Sequence, residues 1–308
     1  MKLKLLTTNL IIKLIFCFFN ISFLILFTLK YKNKNIIRTA LCVIAKEENK
    51  YIKEYVEYYK QLRINKIFLY DNNDINGEKF DIILKKFINK DFVKIINYRG
   101  FYKPQKQAYK NCYNINKYKY NWIAFFDVDE YLYILNYSNI NIFLSSEKFN
   151  NCTSLLINWK YYGDNNNLFY EPKPLKERFK NEVLLNKKIK NNKYLYAAAK
   201  TIARGGLNII WRHFPHFLKN KPICKADGQI ILNPLLSPPQ YNIAYIKHYI
   251  TKSVEEYFKK TIKGTVNSRI INYTNFVSDR INKFYFIFNK KTKIKINLFI
   301  TLLNLNKK

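Results

Sequence analysis

Two aspartates one residue apart, Asp127 and Asp129, are the strongest chemical signal in this 308-residue chain. They follow an apolar run at residues 122–126 that is typical of a buried strand. Because side chains at positions i and i+2 of a strand point the same way, the sequence predicts that both carboxylates face one spot. Carboxylate oxygens suit Mg²⁺ or Mn²⁺, and Mg²⁺ is often held by one or two carboxylates plus substrate phosphates. We therefore predict a site for a divalent metal and a diphosphate.

Short apolar runs alternate with helical periodicity from residue 39 onward. The pattern predicts strands over residues 40–45, 66–70, 92–97 and 122–126, and helices over residues 51–62, 80–89 and 104–116. Such an alternation favours an α/β fold with a mostly parallel sheet and helices on both faces. In these sheets ligands bind beyond the carboxyl ends of the strands. The polar segments 46–48 and 71–73 and the aspartate pair all fall there, so we expect them to share one crevice.

Two common nucleotide-binding motifs are missing from the sequence. No G-x-G-x-x-G follows the first predicted strand, and no G-x-x-x-x-G-K-[ST] occurs anywhere. Neither a dinucleotide dehydrogenase nor a P-loop nucleoside triphosphatase is therefore supported. Any phosphates must be held mainly by metal and side chains.

The formal charge of the chain is +33, from 54 basic and 21 acidic residues. Such a charge suggests phosphate-rich partners. The lysines are scattered through nearly every segment, however, whereas nucleic-acid-binding proteins usually gather them on one face. Enrichment of Lys, Asn, Ile, Tyr and Phe together is typical of A+T-rich codon usage, and we do not predict a nucleic-acid partner.

The five cysteines are widely spaced, without a C-x-x-C pair or a zinc-type spacing. We interpret them as buried thiols. In an oxidising compartment the alternative is a single bridge, either Cys152 to Cys224 or Cys42 to Cys112, because spacing alone does not determine connectivity.

Residues 10–29 are almost entirely apolar and precede a lysine-rich flank, and ~20 apolar residues suffice to cross a bilayer. We predict a signal anchor and basic flank over residues 1–34, a main domain over residues 35–270, and a basic, helical C-terminal extension over residues 271–308. The positive-inside rule favours a cytoplasmic main domain. Three N-x-S/T sequons that follow the predicted anchor, at Asn136, Asn151 and Asn272, would permit a luminal one. We expect a single-pass membrane protein, facing the Golgi or ER lumen in a eukaryote and the cytoplasm in a bacterium.

A series of ordered blocks between residues 39 and 265 resembles glycosyltransferase family 92 and its family-2-like relatives. The blocks include Cys42-Val-Ile-Ala-Lys-Glu-Glu48, Lys66-Ile-Phe-Leu-Tyr-Asp-Asn-Asn73, Asp127-Val-Asp-Glu-Tyr131 and Lys247-His-Tyr-Ile-Thr-Lys252. The resemblance implies a GT-A (Rossmann-like) fold, a nucleotide-sugar donor, Mn²⁺ or Mg²⁺, and attachment to a membrane. The chain departs from the usual pattern at Glu47, where many relatives have Asn, and at Arg63, where a Gly is usual.

The resemblance also implies roles for individual side chains. Asp127, Asp129 and His248 would bind the metal. The donor nucleotide and its diphosphate would contact Lys46, Glu48, Asp71, Asn72, Gln105, Asp127 and Lys252, although turn and helix-cap chemistry also explains the first four of these. The acceptor would contact Trp159 with Tyr161 or Tyr162, Tyr162 being preferred, and His216. Asp164, or alternatively Glu177, would be the general base that takes the acceptor's proton.

The predicted function is metal-dependent transfer of a hexose from a nucleoside-diphosphate sugar to a glycan hydroxyl. The resemblance implies galactose from UDP-galactose, and inversion at the anomeric carbon. One alternative, favoured by the charge, is a catalytically silent, membrane-anchored protein of the same fold that binds glycans or polyanions. Another is a phosphotransferase that uses the same aspartates.

Overall fold

Four parallel strands begin the part of the chain that the computed structural model describes, which comprises residues 37–102, 104–183, 198–209, 211–213, 217–218, 222–234 and 237–263. These strands are β1 (Thr39–Ala45), β2 (Lys66–Asp71), β3 (Val93–Asn97) and β4 (Trp122–Phe125). β1 pairs with β2 and β4, and β2 pairs with β3, all in parallel. Each predicted strand is confirmed to within one residue at either end.

Three helices connect these strands: α1 (Ile52–Gln61), α2 (Phe80–Ile88) and α3 (Gln105–Asn116). Alternate residues of β1 enter two separate cores. Leu41 and Val43 pack with α1 and α2, whereas Ala40 and Cys42 pack with α3. The predicted helices on both faces of the sheet are therefore confirmed, and period-two alternation along β1 is what divides the two cores.

The buried face of α1 holds the loop that follows β4. Tyr55 and Tyr59 lie on this face with Ile52 and Val56. The Tyr55 hydroxyl donates to the Phe126 carbonyl at 3.0 Å, and the Tyr59 hydroxyl donates to the Glu130 carbonyl at 2.8 Å. These bonds attach both ends of the aspartate-bearing turn to a rigid helix.

The second half of the sheet is mixed rather than parallel. It contains β5 (Glu130–Ile134), β6 (Ser154–Tyr162), β7 (Glu182–Val183), β8 (Ala199–Arg204), β11 (Ile223–Lys225), β12 (Ile230–Ile231) and β13 (Ala244–His248). The main strand order is β12-β11-β6-β8-β4-β1-β2-β3, and β8 runs antiparallel to both β4 and β6. A separate pair is formed by β9 (Trp211–His213) and β10 (Phe217–Leu218).

The expectation of a mostly parallel sheet therefore needs correction beyond β4. Short helices occupy this region: α4 (Ile140–Leu144), a 3-10 turn (Glu147–Phe149) and α5 (Leu175–Arg178). Parallel neighbours in sequence need a long crossover, usually a helix. Between β4 and the helix α6 (Val254–Lys263), the described residues contain no helix longer than five residues.

Two disulfides replace the expected buried thiols. Cys42 of β1 is bonded to Cys112 of α3, and Cys152 is bonded to Cys224 of β11, with Cα atoms 6.3 and 5.8 Å apart. Sequence separations of 70 and 72 residues correspond, in the chain-entropy picture, to a stabilisation of about 4 kcal/mol for each bond. Both pairs are those named as single-bridge alternatives from the sequence, and both are formed because the sheet brings distant cysteines together.

Both positions where the chain departs from the usual family pattern have left-handed backbone. The φ angle is +54° at Glu47 and +61° at Arg63. Gly adopts this region without steric penalty, and Asn does so more readily than most residues. The usual Gly and Asn are thus explained by backbone conformation, and this chain carries strained residue types at both turns.

In the described residues no helix is long and apolar enough to cross a membrane. The predicted anchor, residues 1–34, and the predicted C-terminal extension, residues 271–308, lie outside that part of the chain.

Candidate functional site

The site forms where β5, β6 and β13 meet beyond the carboxyl end of β4. β13 pairs antiparallel with β5, which places His248 opposite Glu130. It also pairs in parallel with β6, which places His248 opposite Tyr161. Asp127 and Asp129 lie in the turn that joins β4 to β5, and this turn is closed by the Glu130 amide donating to the Asp127 carbonyl at 3.0 Å.

Three buried side chains could hold a metal ion: Asp129, Glu130 and His248. The Nε2 atom of His248 lies 3.6 Å from Asp129 Oδ1 and 4.0 Å from Glu130 Oε1. One ligand atom from each residue falls within 4.8 Å of the others. Carboxylate and imidazole are suitable ligands for Mn²⁺ and related divalent ions.

Each of the two carboxylates contacts a lysine through its other oxygen. Asp129 Oδ2 accepts a hydrogen bond from Lys260 of α6. Glu130 Oε2 lies 3.2 Å from Lys200 Nζ and accepts from the Asp127 amide at 2.9 Å. Among the described residues Glu130 Oε1 is buried without a hydrogen-bond partner. A buried oxygen in that state is costly unless something pairs with it, so the residues fit a bound cation.

Metal binding would require Glu130 to release a proton. Its pKa is raised to about 8, chiefly by burial and also by Asp127 and Asp129, while Lys200 opposes the rise. Burial opposes ionisation of Asp129, yet Lys260 and His248 hold its pKa well below the usual range. Burial lowers the pKa of His248, so the imidazole is neutral near pH 7 and can act as a ligand.

Asp127 is placed differently from the expectation. Its Oδ2 accepts from Lys200 Nζ at 2.7 Å and its Oδ1 accepts from the Tyr109 hydroxyl at 3.0 Å. The group that could hold an ion contains Glu130 in place of Asp127. The strand argument fails here because β4 ends at Phe125 and β5 begins at Glu130. The two aspartates therefore lie in a turn, where i and i+2 side chains need not point the same way.

On the predicted donor side, Asp71 and Asn72 serve the turn after β2. Asp71 Oδ2 is 2.7 Å from a guanidinium nitrogen of Arg99, and Asp71 Oδ1 accepts from the Asn73 amide at 3.0 Å. The Asn72 side chain donates to the Tyr98 and Phe101 carbonyls at 2.9 and 3.2 Å. The turn-chemistry alternative thus describes the contacts of both residues, since each bonds neighbouring loops.

Other residues predicted to contact the donor lie at the ends of β1, α3 and β13. Lys46 Nζ is 2.8 Å from Asp74. Lys252 Nζ lies 3.6 Å from a Glu48 carboxylate oxygen, and its positive charge contributes to lowering the pKa of Asp129. Glu48 and Lys252 are therefore brought together beside the cluster.

Gln105 opens α3 and hydrogen-bonds Tyr109 one turn later. Tyr109 in turn donates to Asp127. Gln105 is therefore linked to Asp127 through Tyr109.

Aromatic rings cover one side of the imidazole. The rings of Trp159 and Tyr161 lie 4.4 and 5.7 Å from His248, centroid to centroid. Tyr162 is on the other face of β6, with its ring 5.3 Å from Tyr249. The preferred partner of Trp159 is therefore corrected from Tyr162 to Tyr161, because neighbouring residues of a strand face opposite sides. His216 lies outside the described residues.

The two predicted bases occupy different settings. Asp164 is buried just beyond β6, and its side chain accepts from the Asn166 amide at 3.1 Å. Glu177 is exposed on α5. The neighbouring Arg178 forms a buried ion pair with Glu256 of α6 rather than with Glu177. Asp164 is the carboxylate that follows the strand carrying the aromatic pair.

Sequence reasoning missed Glu130, Tyr109, Lys200 and Lys260. Glu130 directly follows the aspartate pair. Lys200 interrupts an apolar run that becomes β8, and a lysine in such a run is a signal for a paired buried charge. Nothing in the sequence distinguishes Lys260 from Lys259, because only the docking of α6 turns one of them toward Asp129.

Fold and site together therefore define a class of protein. It is an α/β domain that carries a buried cluster of carboxylates and an imidazole beyond its parallel strands. The sequence model of glycosyltransferase family 92 matches residues 39–291. That is well over half of the chain, and the chain belongs to this family.

Among curated proteins, a family 92 protein of Arabidopsis thaliana is 29% identical over 106 residues, covering 34% of this chain and 18% of the relative. One of Ricinus communis is 24% identical over 94 residues, covering 30% of this chain and 17% of the relative. The chain therefore spans less than a fifth of the length of these relatives. Both similarities are confined to a part of each protein.

Among solved structures, the 1–349 segment of TarS from S. aureus aligns with 81% of this chain over 72% of that segment, at 15% identity and a TM-score of 0.38. The same segment in complex with UDP-GlcNAc aligns with 44% of this chain over 37% of the segment, at 17% identity and a TM-score of 0.30. TM-scores of this size are too low for function to be inferred from them.

Proposed function

We propose that this protein is a metal-dependent glycosyltransferase of GT-A architecture, which transfers a hexose from a nucleoside-diphosphate sugar to a glycan hydroxyl. Family membership supports the reaction class. The observation that carries the proposal is the convergence of Asp129 Oδ1, Glu130 Oε1 and His248 Nε2 at the carboxyl end of the sheet. Open α/β sheets bind their ligands at this edge.

Asp129, Glu130 and His248 would hold Mn²⁺ or Mg²⁺. When bound, such an ion supplies Lewis-acid stabilisation of the charge that develops on a departing diphosphate. Lys260 pairs with Asp129, and Lys252 lies 3.6 Å from Glu48; ammonium groups of this kind are suited to bind phosphate oxygens. The side chain of Asp127 is 35% exposed and pairs with Lys200.

On the acceptor side, Trp159 and Tyr161 would stack against a sugar ring. Asp164 is the proposed general base. It is the second residue after β6, the strand that carries the aromatic pair, whereas Glu177 is exposed on α5. A base must lie within hydrogen-bond reach of the hydroxyl whose proton it takes. Galactose as the sugar, UDP as its carrier and inversion at the anomeric carbon come from the family resemblance.

A donor-hydrolysis assay over a panel of nucleotide sugars tests this proposal. With Mn²⁺ we expect release of nucleoside diphosphate from one donor, loss of release with a chelator, and loss with Glu130→Gln. Glu57→Gln, on the exposed side of α1, is the matched control and should keep the activity.

Two results would contradict the proposal. Glycan binding without turnover of any donor would favour the silent binding protein. Appearance of phosphate on the acceptor would favour the phosphotransferase.

A further inference from the structure

Four cysteines join distant elements through two buried disulfides. One bond ties β1 to α3 across the sheet, and the other ties the chain just before β6 to β11. Cys42, Cys112 and Cys224 are 0% exposed and Cys152 is 2% exposed. The bonds lie in different places, since Cys42 and Cys112 belong to the core beside α3, whereas Cys152 and Cys224 belong to the core on the other face. Each pair is thus separate evidence about the compartment in which the chain folds.

Structural disulfides persist in oxidising compartments and are rare in the cytosol, where glutathione and thioredoxin keep thiols reduced. The positive-inside rule points the other way for this chain, but it depends on a small excess of charges in a sequence that is rich in lysine throughout. Two buried bonds of about 4 kcal/mol each are a property of the folded unit itself. They therefore favour an oxidising compartment over the cytosol.

Two N-glycosylation sequons lie in the described residues, at Asn136 and Asn151. Asn136 follows β5 in an exposed turn with a φ of +59°, and Ser138 is exposed as well. At the second sequon the Thr153 hydroxyl donates to the Pro222 carbonyl at 3.0 Å, and Cys152 is in a disulfide. An acceptor sequon must be accessible on the surface, and Asn136 meets that condition in the folded protein.

Asn136 is also remote from the candidate site. β5 begins at Glu130, in the cluster, and runs away from it toward Ile134. Six residues of extended chain span about 20 Å. A glycan on Asn136 would therefore leave the crevice open.

We propose that the unit beginning at Ile37 folds in an oxidising compartment outside the cytosol, and that Asn136 is an N-glycosylation site there. With the anchor predicted over residues 1–34, this corresponds to the lumen-facing orientation. The proposal does not depend on catalytic activity.

The full chain, expressed in a eukaryotic cell that attaches N-glycans, provides the test. Free thiols are alkylated during lysis in denaturant, so that buried thiols are also reached, and the mass is compared with and without an N-glycosidase. We expect the four cysteines to resist alkylation until a reductant is added. We also expect Asn136→Gln and Ser138→Ala to remove the same glycosidase-sensitive increment, while Asn89→Gln, an exposed asparagine outside any sequon, leaves it in place.

Alkylation of Cys42, Cys112, Cys152 or Cys224 without a reductant would overturn the proposed compartment. An increment that survives both Asn136→Gln and Ser138→Ala, or no increment at all, would overturn the glycosylation site. Because no step measures sugar transfer, a negative result here is distinct from failure of the proposed enzyme activity.

Discussion

Glu130 and His248 lie opposite each other in the antiparallel pairing of β5 and β13, with Glu130 Oε1 4.0 Å from His248 Nε2. This cross-strand pair supplies two of the three candidate metal ligands, whereas the aspartate pair in the sequence supplies only Asp129. Asp129 completes the cluster from the turn before β5. Asp127 is directed to Lys200 and Tyr109 instead.

Substitution of Glu130 should therefore affect metal binding more than substitution of Asp127. We expect Glu130→Gln to weaken Mn²⁺ binding by at least about tenfold, since even the outer partners of metal ligands are typically worth 10–100-fold. Asp127→Asn should change it by less than about threefold, because its oxygens bond a lysine and a tyrosine. Mn²⁺ titration followed by electron paramagnetic resonance, without donor, measures both. The reverse ranking would restore Asp127 as the ligand.

Removal of the positive charge at Lys260 should strengthen metal binding in the absence of donor. Lys260 bonds the outer oxygen of Asp129, and a cation so close repels a divalent ion. We expect Lys260→Met to increase Mn²⁺ affinity by about tenfold, or about 1.4 kcal/mol, and to weaken binding of the nucleoside diphosphate. Lys259→Met is the control, because Lys259 pairs with Glu255 on the exposed side of α6. Weaker Mn²⁺ binding by Lys260→Met would mean that Lys260 serves mainly to orient Asp129.

The buried ion pair between Arg178 and Glu256 should make stability depend on pH. Burial opposes ionisation of Glu256, but Arg178, Ser253 and Tyr51 bond its carboxylate and lower its pKa overall. A carboxyl whose folded pKa is lowered contributes stability above its unfolded pKa, about 4.3 for Glu, and this contribution is lost as the pH falls through the folded value. We expect Glu256→Gln to cost about 3 kcal/mol at pH 7.

The difference in free energy of unfolding between wild type and Glu256→Gln should begin to narrow below about pH 4.3, where this carboxyl begins to bind a proton in the unfolded chain. Urea denaturation at pH 7 and pH 4 measures both differences. Glu255→Gln, which removes a pair on the partly exposed side of the same helix, should cost less than about 1 kcal/mol. Equal losses in the two variants would contradict the assigned importance of the buried pair.

Relief of the left-handed backbone at Arg63 should stabilise the protein. A non-glycine residue in this region costs roughly 1 kcal/mol relative to glycine, and Arg63 has a φ of +61° and is exposed. We expect Arg63→Gly to raise the free energy of unfolding by about 1 kcal/mol. Lys60→Gly, three residues earlier within α1, should lower it by a similar amount. A loss of stability in both variants would show that the Arg63 side chain contributes more than the backbone strain removes.

Local pattern was sufficient for the first half of the domain. Period-two and period-3.6 repeats placed β1 to β4 and α1 to α3 within one residue of their observed ends. These elements can be predicted because the apolar periodicity that defines each of them lies within a short window of the chain. The apolar run before Asp127 also located the edge of the sheet where the site lies.

The family-like blocks of the sequence predicted Asp129 and His248 as metal ligands, and both lie in the group that could hold an ion. Which other atoms converge there depends on the tertiary structure. Glu130 joins the cluster because β13 pairs with β5, Lys200 and Lys260 approach from β8 and α6, and the cysteines pair across about 70 residues. Such contacts depend on strand order and register, which are set by the packing of whole elements and leave no local pattern in the chain.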